Sequence, residues 1–89
     1  MKAIVTVVGK DQVGIIASVC VKLAEYNVNV LDISQTVMQG YFTMMMVVDV
    51  SGASLPLAEL AKQMEDHGKE MNLSIRLQRE DIFEAMHRV

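Results

Sequence analysis

Apolar residues in this chain switch between a period of two and a period of three to four. The order of those switches restricts the fold more than any other feature. Lys2 to Val8 alternates as a strand, with Ala3, Val5 and Val7 on one side and Ile4, Thr6 and Val8 on the other. From Gln12 the period lengthens. Val13, Ile16, Ala17, Cys20, Leu23 and Ala24 form one stripe of an amphipathic helix, with Asp11 as its N-cap and Tyr26-Asn27 as its end. Val28 to Met38 is rich in β-branched residues and reads as a second strand. Gln39-Gly40 is a turn, and Tyr41 to Val50 is a third strand paired with the second as a hairpin.

After a loop at Ser51-Gly52-Ala53-Ser54, Ser54 is expected to cap a second helix, with Pro56 tolerated in its first turn. Leu57, Leu60, Ala61, Met64 and Met71 make its apolar stripe, and Gly68 falls inside it or near its end. Leu73, Ile75 and Leu77 alternate with Ser74, Arg76 and Gln78 as a fourth strand, and Ile82, Phe83, Met86 and Val89 sit at helical spacing. The order βαββαβ defines an α+β chain of the ferredoxin-like class, a four-stranded antiparallel sheet with two helices on one face. One domain is expected over residues 1–80, followed by a short helical tail, 81–89.

The first and third strands are apolar on both sides: Ile4 and Val8 oppose Ala3, Val5 and Val7, and Met45 and Val47 oppose Met44, Met46 and Val48. A sheet face open to water should carry polar residues at alternate positions. A second copy of the chain is therefore expected to cover it, giving a homodimer or larger.

Composition narrows the function. At 52% apolar the chain can build a core, and a formal charge of −3 without a basic stripe argues against nucleic acid. No apolar run approaches the ~20 residues that span a bilayer, and Met1-Lys2 leads into a strand pattern rather than a signal peptide. A cytoplasmic protein without a membrane partner is expected. The single cysteine, Cys20, fits a reducing compartment and lies on the helix stripe as a small hydrophobe. Eight methionines stand against four aromatic residues, either filling the core or lining a contact surface.

The segment between first strand and first helix, Gly9-Lys10-Asp11-Gln12-Val13-Gly14, has the glycine spacing of a phosphate-binding loop. Such a loop next needs Lys and Ser or Thr; Ile15-Ile16 follow instead. Asp11 also places a carboxylate where a phosphate would approach. His67 has no partner at metal-ligand spacing and reads as solvated helix surface. Tyr41 and Phe42 alone are too few for base stacking, and Arg76, Arg79 and Arg88 are too scattered for a phosphate patch. No enzyme signature, cofactor motif or metal set emerges. Asp11 either caps the helix or faces a ligand, and Gly14 either lets the helix pack close or lets a ligand approach.

With fold and loop in place, the chain resembles the ACT domain, a small ferredoxin-like module that senses amino acids. The segment "VVGKDQVGIIASVCVKLAEYNVNVLDIS" carries the likeness: first strand, a turn with Asp11 and Gly14, aliphatic Ile15, and an Asn-x-Asn start to the second strand. The ending "LQREDIFEAMHRV" is similar to that of stand-alone single-ACT-domain proteins of bacteria and archaea. The resemblance implies an amino-acid effector held between two domains, by the first turn of one and polar residues opening the second strand of the other. Carried onto this chain, the positions are Gly9, Lys10, Asp11, Gln12, Val13 and Gly14, with Asn29 opposite. Some serine-binding members have Pro where this chain has Val13. ACT domains are usually fused to an enzyme or regulator, so regulation here would act in trans on a separate protein. The competing expectation is a protein-interaction module with no small-molecule ligand.

Overall fold

The computed structural model describes residues 1–81, and the helical spacing read at Ile82, Phe83, Met86 and Val89 lies outside them. The elements are β1 (Lys2–Lys10), α1 (Ile15–Glu25), β2 (Asn29–Met38), β3 (Tyr41–Asp49), α2 (Leu57–Glu70) and β4 (Leu73–Arg79). They form one antiparallel sheet in the order β2-β3-β1-β4. The expected βαββαβ sandwich is what the chain adopts.

The two strands that read as apolar on both sides, β1 and β3, are the central pair. Val5 lies between Met46 and Leu77, and Val7 between Met44 and Ile75, so each layer runs straight across three strands. Directly opposed residues share a face, which puts Ala3, Val5, Val7, Met44, Met46, Val48, Ile75 and Leu77 under the helices. There they meet Ile15, Val19 and Leu23 of α1 and Leu60 and Met64 of α2, all in one buried cluster. No polar or charged side chain among the described residues is buried. The methionine surplus is therefore split: Met44, Met46 and Met64 fill the core, whereas Met38 and Met45 are exposed.

Both helices start later than their sequence signals. Asp11 does not cap α1. Gly14 does, at φ +87°, a conformation that other L-residues adopt only with strain, and no side chain completes the cap. The buried stripe of α1 is correspondingly Ile15, Val19 and Leu23. Ile16 and Cys20 are half-buried at its margin, and Val13, Ala17 and Ala24 are exposed. Ser54 likewise makes no cap bond to α2, whose cap position is Pro56. Each helix ends on an asparagine with positive φ, Asn27 and Asn72, a residue that tolerates the left-handed region and closes the last turn.

The second face of the sheet is mixed. Ile4 is buried and Val47 half-buried, whereas Val8 and Met45 are exposed among Thr6, Thr43, Ser74 and Arg76. The outer strand β2 is the least covered part of the sheet. Only Val30 reaches the core; past a bulge at Leu31, Ile33 and Val37 pair with buried Met46 and Phe42 on the helix side of the sheet, yet Leu31, Ile33 and Val37 remain exposed because the helices leave this strand uncovered.

Gly68 lies inside α2 where the helix presses on the sheet. A Cβ there would stand 2.7 Å from the Leu73 carbonyl oxygen and 2.9 Å from Ile75 Cγ1. Alanine usually stabilises a helix interior by about 1 kcal/mol relative to glycine, but overpacking against fixed backbone costs about 1–3 kcal/mol. Gly68→Ala should therefore lower the urea midpoint of unfolding; an unchanged or raised midpoint would show that α2 is free to move off the sheet.

Candidate functional site

The segment read as a possible ligand loop occupies one end of the sheet, because β1 is held on both sides up to its last residues. Gly9 pairs with Phe42 and Leu73, and Lys10 with Tyr41. Gly9 is thus a sheet residue, and a Cβ on it would meet Leu73 Cδ2 at 2.5 Å, so its role is to admit Leu73. Beyond Lys10 the backbone leaves the sheet and is tied down twice. The Asp11 N–H donates to the Gly40 carbonyl of the β2–β3 turn at 2.8 Å. Gln12 Nε2 donates to the Met71 carbonyl at the end of α2, at 3.1 Å.

These two bonds pin the loop to its neighbours, and Gly14, in the left-handed region immediately before Ile15, marks where α1 begins. The first intrahelical bond runs from Ser18 N–H to the Gly14 carbonyl at 2.9 Å. The amides of Ile15, Ile16 and Ala17 in the first turn therefore have no acceptor within the helix, and together with the helix dipole they favour an anion. The Lys10 and Asp11 side chains are exposed and form no hydrogen bond or ion pair. Val13 stands fully in solvent, at 102% relative exposure. One carboxylate, one ammonium, a set of free amides and an exposed aliphatic side chain are gathered within the eight residues 10–17.

Asn29 is not part of this group. It opens β2 opposite Asp49, at the far end of a ten-residue strand. At ~3.3 Å per residue, that is about 30 Å from the turn that holds Asp11. Within one chain the two halves of the expected site do not meet.

The reading of His67 as solvated surface needs correction. His67 is half-buried, with Nε2 at 2.9 Å from Ser18 Oγ across the two helices. Ser18 Oγ also lies 3.1 Å from Met71 Sδ. The Ser18 hydroxyl carries one proton, and which of Ser18 and His67 donates across their bond follows from the imidazole tautomer. The chain His67–Ser18–Met71 joins both helices and ends on Met71, whose carbonyl anchors Gln12, so it braces the loop from behind. Lys22, Glu25 and Glu70 line a shallow groove of about 470 Å³ next to it. Nothing in the sequence pairs Ser18 with His67, since they are 49 positions apart on different helices. Among the described residues, no three His, Cys, Asp or Glu side chains converge to hold a metal, and no helix is long and apolar enough to cross a membrane.

A ferredoxin-like sandwich with a charged turn after its first strand is the architecture of a small single module. The comparisons make it specific. A family model for the ACT domain matches residues 2–78, and the chain belongs to that family. It is 54% identical over 88 residues to a UPF0237 protein of Bifidobacterium longum, covering 99% of this chain and 98% of that one. Among solved structures it is similar to an ACT domain protein from Streptococcus pneumoniae, at 49% identity, a TM-score of 0.83 and 98% coverage of both chains. The regulatory subunit of aspartate kinase from Thermus thermophilus superposes with a TM-score of 0.65 at 26% identity, over 86% of this chain and 50% of that one. The family and these neighbours place the chain among regulatory modules in general.

If Gly14 and not Asp11 caps α1, substitution should separate them. Gly14→Ala forces a Cβ into the left-handed region and should cost about 1–2 kcal/mol. Asp11→Ala should change stability by less than about 0.5 kcal/mol, against the ~1 kcal/mol that loss of a working cap removes. Thermal unfolding of the two variants beside the parent decides it, and equal losses would restore Asp11 as the cap.

Proposed function

We propose that this protein is a non-catalytic sensor that holds a free amino acid between two copies of the chain and passes the signal to a separate protein. The observation that carries this reading is the pairing of complementary free groups at the β1–α1 turn. Asp11 offers an unpaired carboxylate for an ammonium, and the first amides of α1 and Lys10 offer donors for a carboxylate. A zwitterion has the matching charges. Val13 supplies an apolar contact for whatever side chain the ligand carries.

The second copy is argued from β2. Its residues Asn29 to Met38 include no Lys, Arg or Pro, the usual guards of an exposed strand edge, and a single charge, Asp32. Antiparallel pairing of two β2 strands about a two-fold axis at Ser34 opposes Ile33 to Gln35 and brings Leu31, at the bulge, against Val37. It keeps Asp32 opposite Thr36 rather than opposite itself. The same operation carries Asn29 of the partner subunit to the end of β2 that meets the Gln39-Gly40 turn, where the Gly40 carbonyl receives the Asp11 amide. The two halves that one chain holds about 30 Å apart are joined by the dimer. Membership of the ACT family and the fold shared with the regulatory subunit of aspartate kinase support the sensing role.

A second reading is a protein-interaction module without a small ligand. It is favoured by two grooves among the described residues, one along β4 and one between the helices.

Two measurements test the proposal. Sedimentation of the parent should give about twice the 9.9 kDa monomer mass. The double variant Leu31→Lys/Val37→Lys, changing two exposed residues, opposes like charges across the two-fold axis and should sediment as a folded monomer. A parent that is monomeric at micromolar concentration overturns the shared site. For the ligand, a thermal-shift panel of the twenty amino acids should find one that stabilises the parent. Asp11→Asn should then weaken its calorimetric affinity about ten- to a hundredfold through loss of a charge-assisted hydrogen bond. Unchanged affinity removes Asp11 from the site, and a silent panel favours the ligand-free reading.

A further inference from the structure

Gln12 ties the Asp11 turn to the end of α2. Its Nε2 donates to the carbonyl of Met71, the C-cap residue of that helix, across 59 positions of sequence. Carbonyls at a helix end lack partners within the helix, so the turn supplies one that α2 cannot make for itself. Met71 is engaged a second time, since its sulfur accepts from the Ser18 hydroxyl at 3.1 Å, and Ser18 Oγ lies 2.9 Å from His67 Nε2. Ser18 also donates the first helical N–H of α1, to the Gly14 carbonyl two residues beyond Gln12. The links therefore close a ring that runs from Gln12 to Met71, to Ser18, to Gly14 and back. On its outer side lies the groove of about 470 Å³ where Ser18, Lys22, His67 and Glu70 meet.

We infer that this ring makes the Asp11 turn and the interhelical groove one switching unit, with Gln12 as the positioning residue that couples them. A side-chain amide has two N–H donors and a carbonyl. One donor of Gln12 is occupied by Met71, and the side chain stands in solvent. Whatever draws Gln12 away from Met71 leaves the end of α2 without its partner, and the hold of Met71 on Ser18 and His67 loosens with it. Members of a hydrogen-bonded ring support one another, so the loss of one is felt at the rest. The coupling is reciprocal: an event in the groove that fixes Ser18 against Met71 also steadies Gln12 and the turn. The ring belongs to the free chain, so this coupling stands whether or not the turn takes an amino acid.

The test compares Gln12→Glu, Gln12→Lys, Ser18→Ala and the double variant Gln12→Glu/Ser18→Ala with the parent, by urea unfolding at one protein concentration. Glu matches Gln in size but has no N–H, and its carboxylate meets the negative end of α2. Lys keeps a donor and brings a favourable charge to the same end. Gln12→Glu should raise the unfolding constant about two- to tenfold, and Gln12→Lys should hold it within about twofold of the parent. In the double variant the two effects should fall short of their product by about twofold or more, because the second change acts on a ring already open. The ring-nitrogen shifts of His67 should move in Gln12→Glu and return to the parent values in Gln12→Lys. Those shifts need only the Gln12 variants, so they decide the matter even if the double variant does not fold. Independent effects in the cycle, His67 shifts unmoved by Gln12→Glu, or a Lys variant as perturbed as the Glu one would each overturn the coupling.

Discussion

The antiparallel pairing of β1 with both β3 and β4 is the constraint on which the other features depend. Because β1 is bonded on both sides from Ala3 to Gly9, its apolar layers must match those of Met44, Met46 and Val48 on one flank and of Leu73, Ile75 and Leu77 on the other. A slip of one residue would turn every one of these side chains toward the wrong face, so burial enforces the register. The register in turn delivers Lys10 to the end of the sheet beside Tyr41, and the Asp11 turn to the β2–β3 hairpin. The position of the candidate site thus follows from core packing and owes nothing to the loop's own preferences.

The same centrality leaves two strands at the edges, and they carry opposite characters. β2 is long, almost uncharged and barely covered by α1; β4 is shorter, lies beneath α2 and carries Arg76. Proteins manage such edges with charge, proline, bulges or covering segments. Among the described residues, the two helices lie over one face of the sheet.

Much of the fold was legible in the residues. Ala3-Val5-Val7, Met44-Met46-Val48 and Leu73-Ile75-Leu77 each alternate strictly, and a period of two has few interpretations when both faces are apolar or one is polar. The phase of α1 was not legible. Between Val13 and Ala24 only Gly14, Ser18 and Lys22 interrupt an apolar run, so several stripes fit equally well, and the choice of Ile15, Val19 and Leu23 depends on where the helix starts. That start was misread at Asp11. An Asp before an apolar period is normally a cap, but here its amide is bonded to Gly40, a residue brought near only by the sheet. His67 was misread for a similar reason: a histidine among Glu65, Asp66 and Lys69 reads as surface until α1 places Ser18 against it.

The amino-acid order by itself determined the succession of strands and helices, the residues that face the core from each strand, the hairpin at Gln39-Gly40 and the gathering of Lys10, Asp11 and Val13 in one turn. These are local or periodic properties, set by side-chain size, branching and polarity over a few positions. Tertiary structure alone decided which group caps α1, that Gln12 is held by Met71, that Ser18 joins His67 to Met71, and that Asn29 lies at the opposite end of the sheet from Asp11. Each of these depends on two segments far apart in the chain meeting at hydrogen-bond distance. That meeting is settled by how the two helices seat on the sheet, with Gly68 and Gly9 leaving the room that the seating requires.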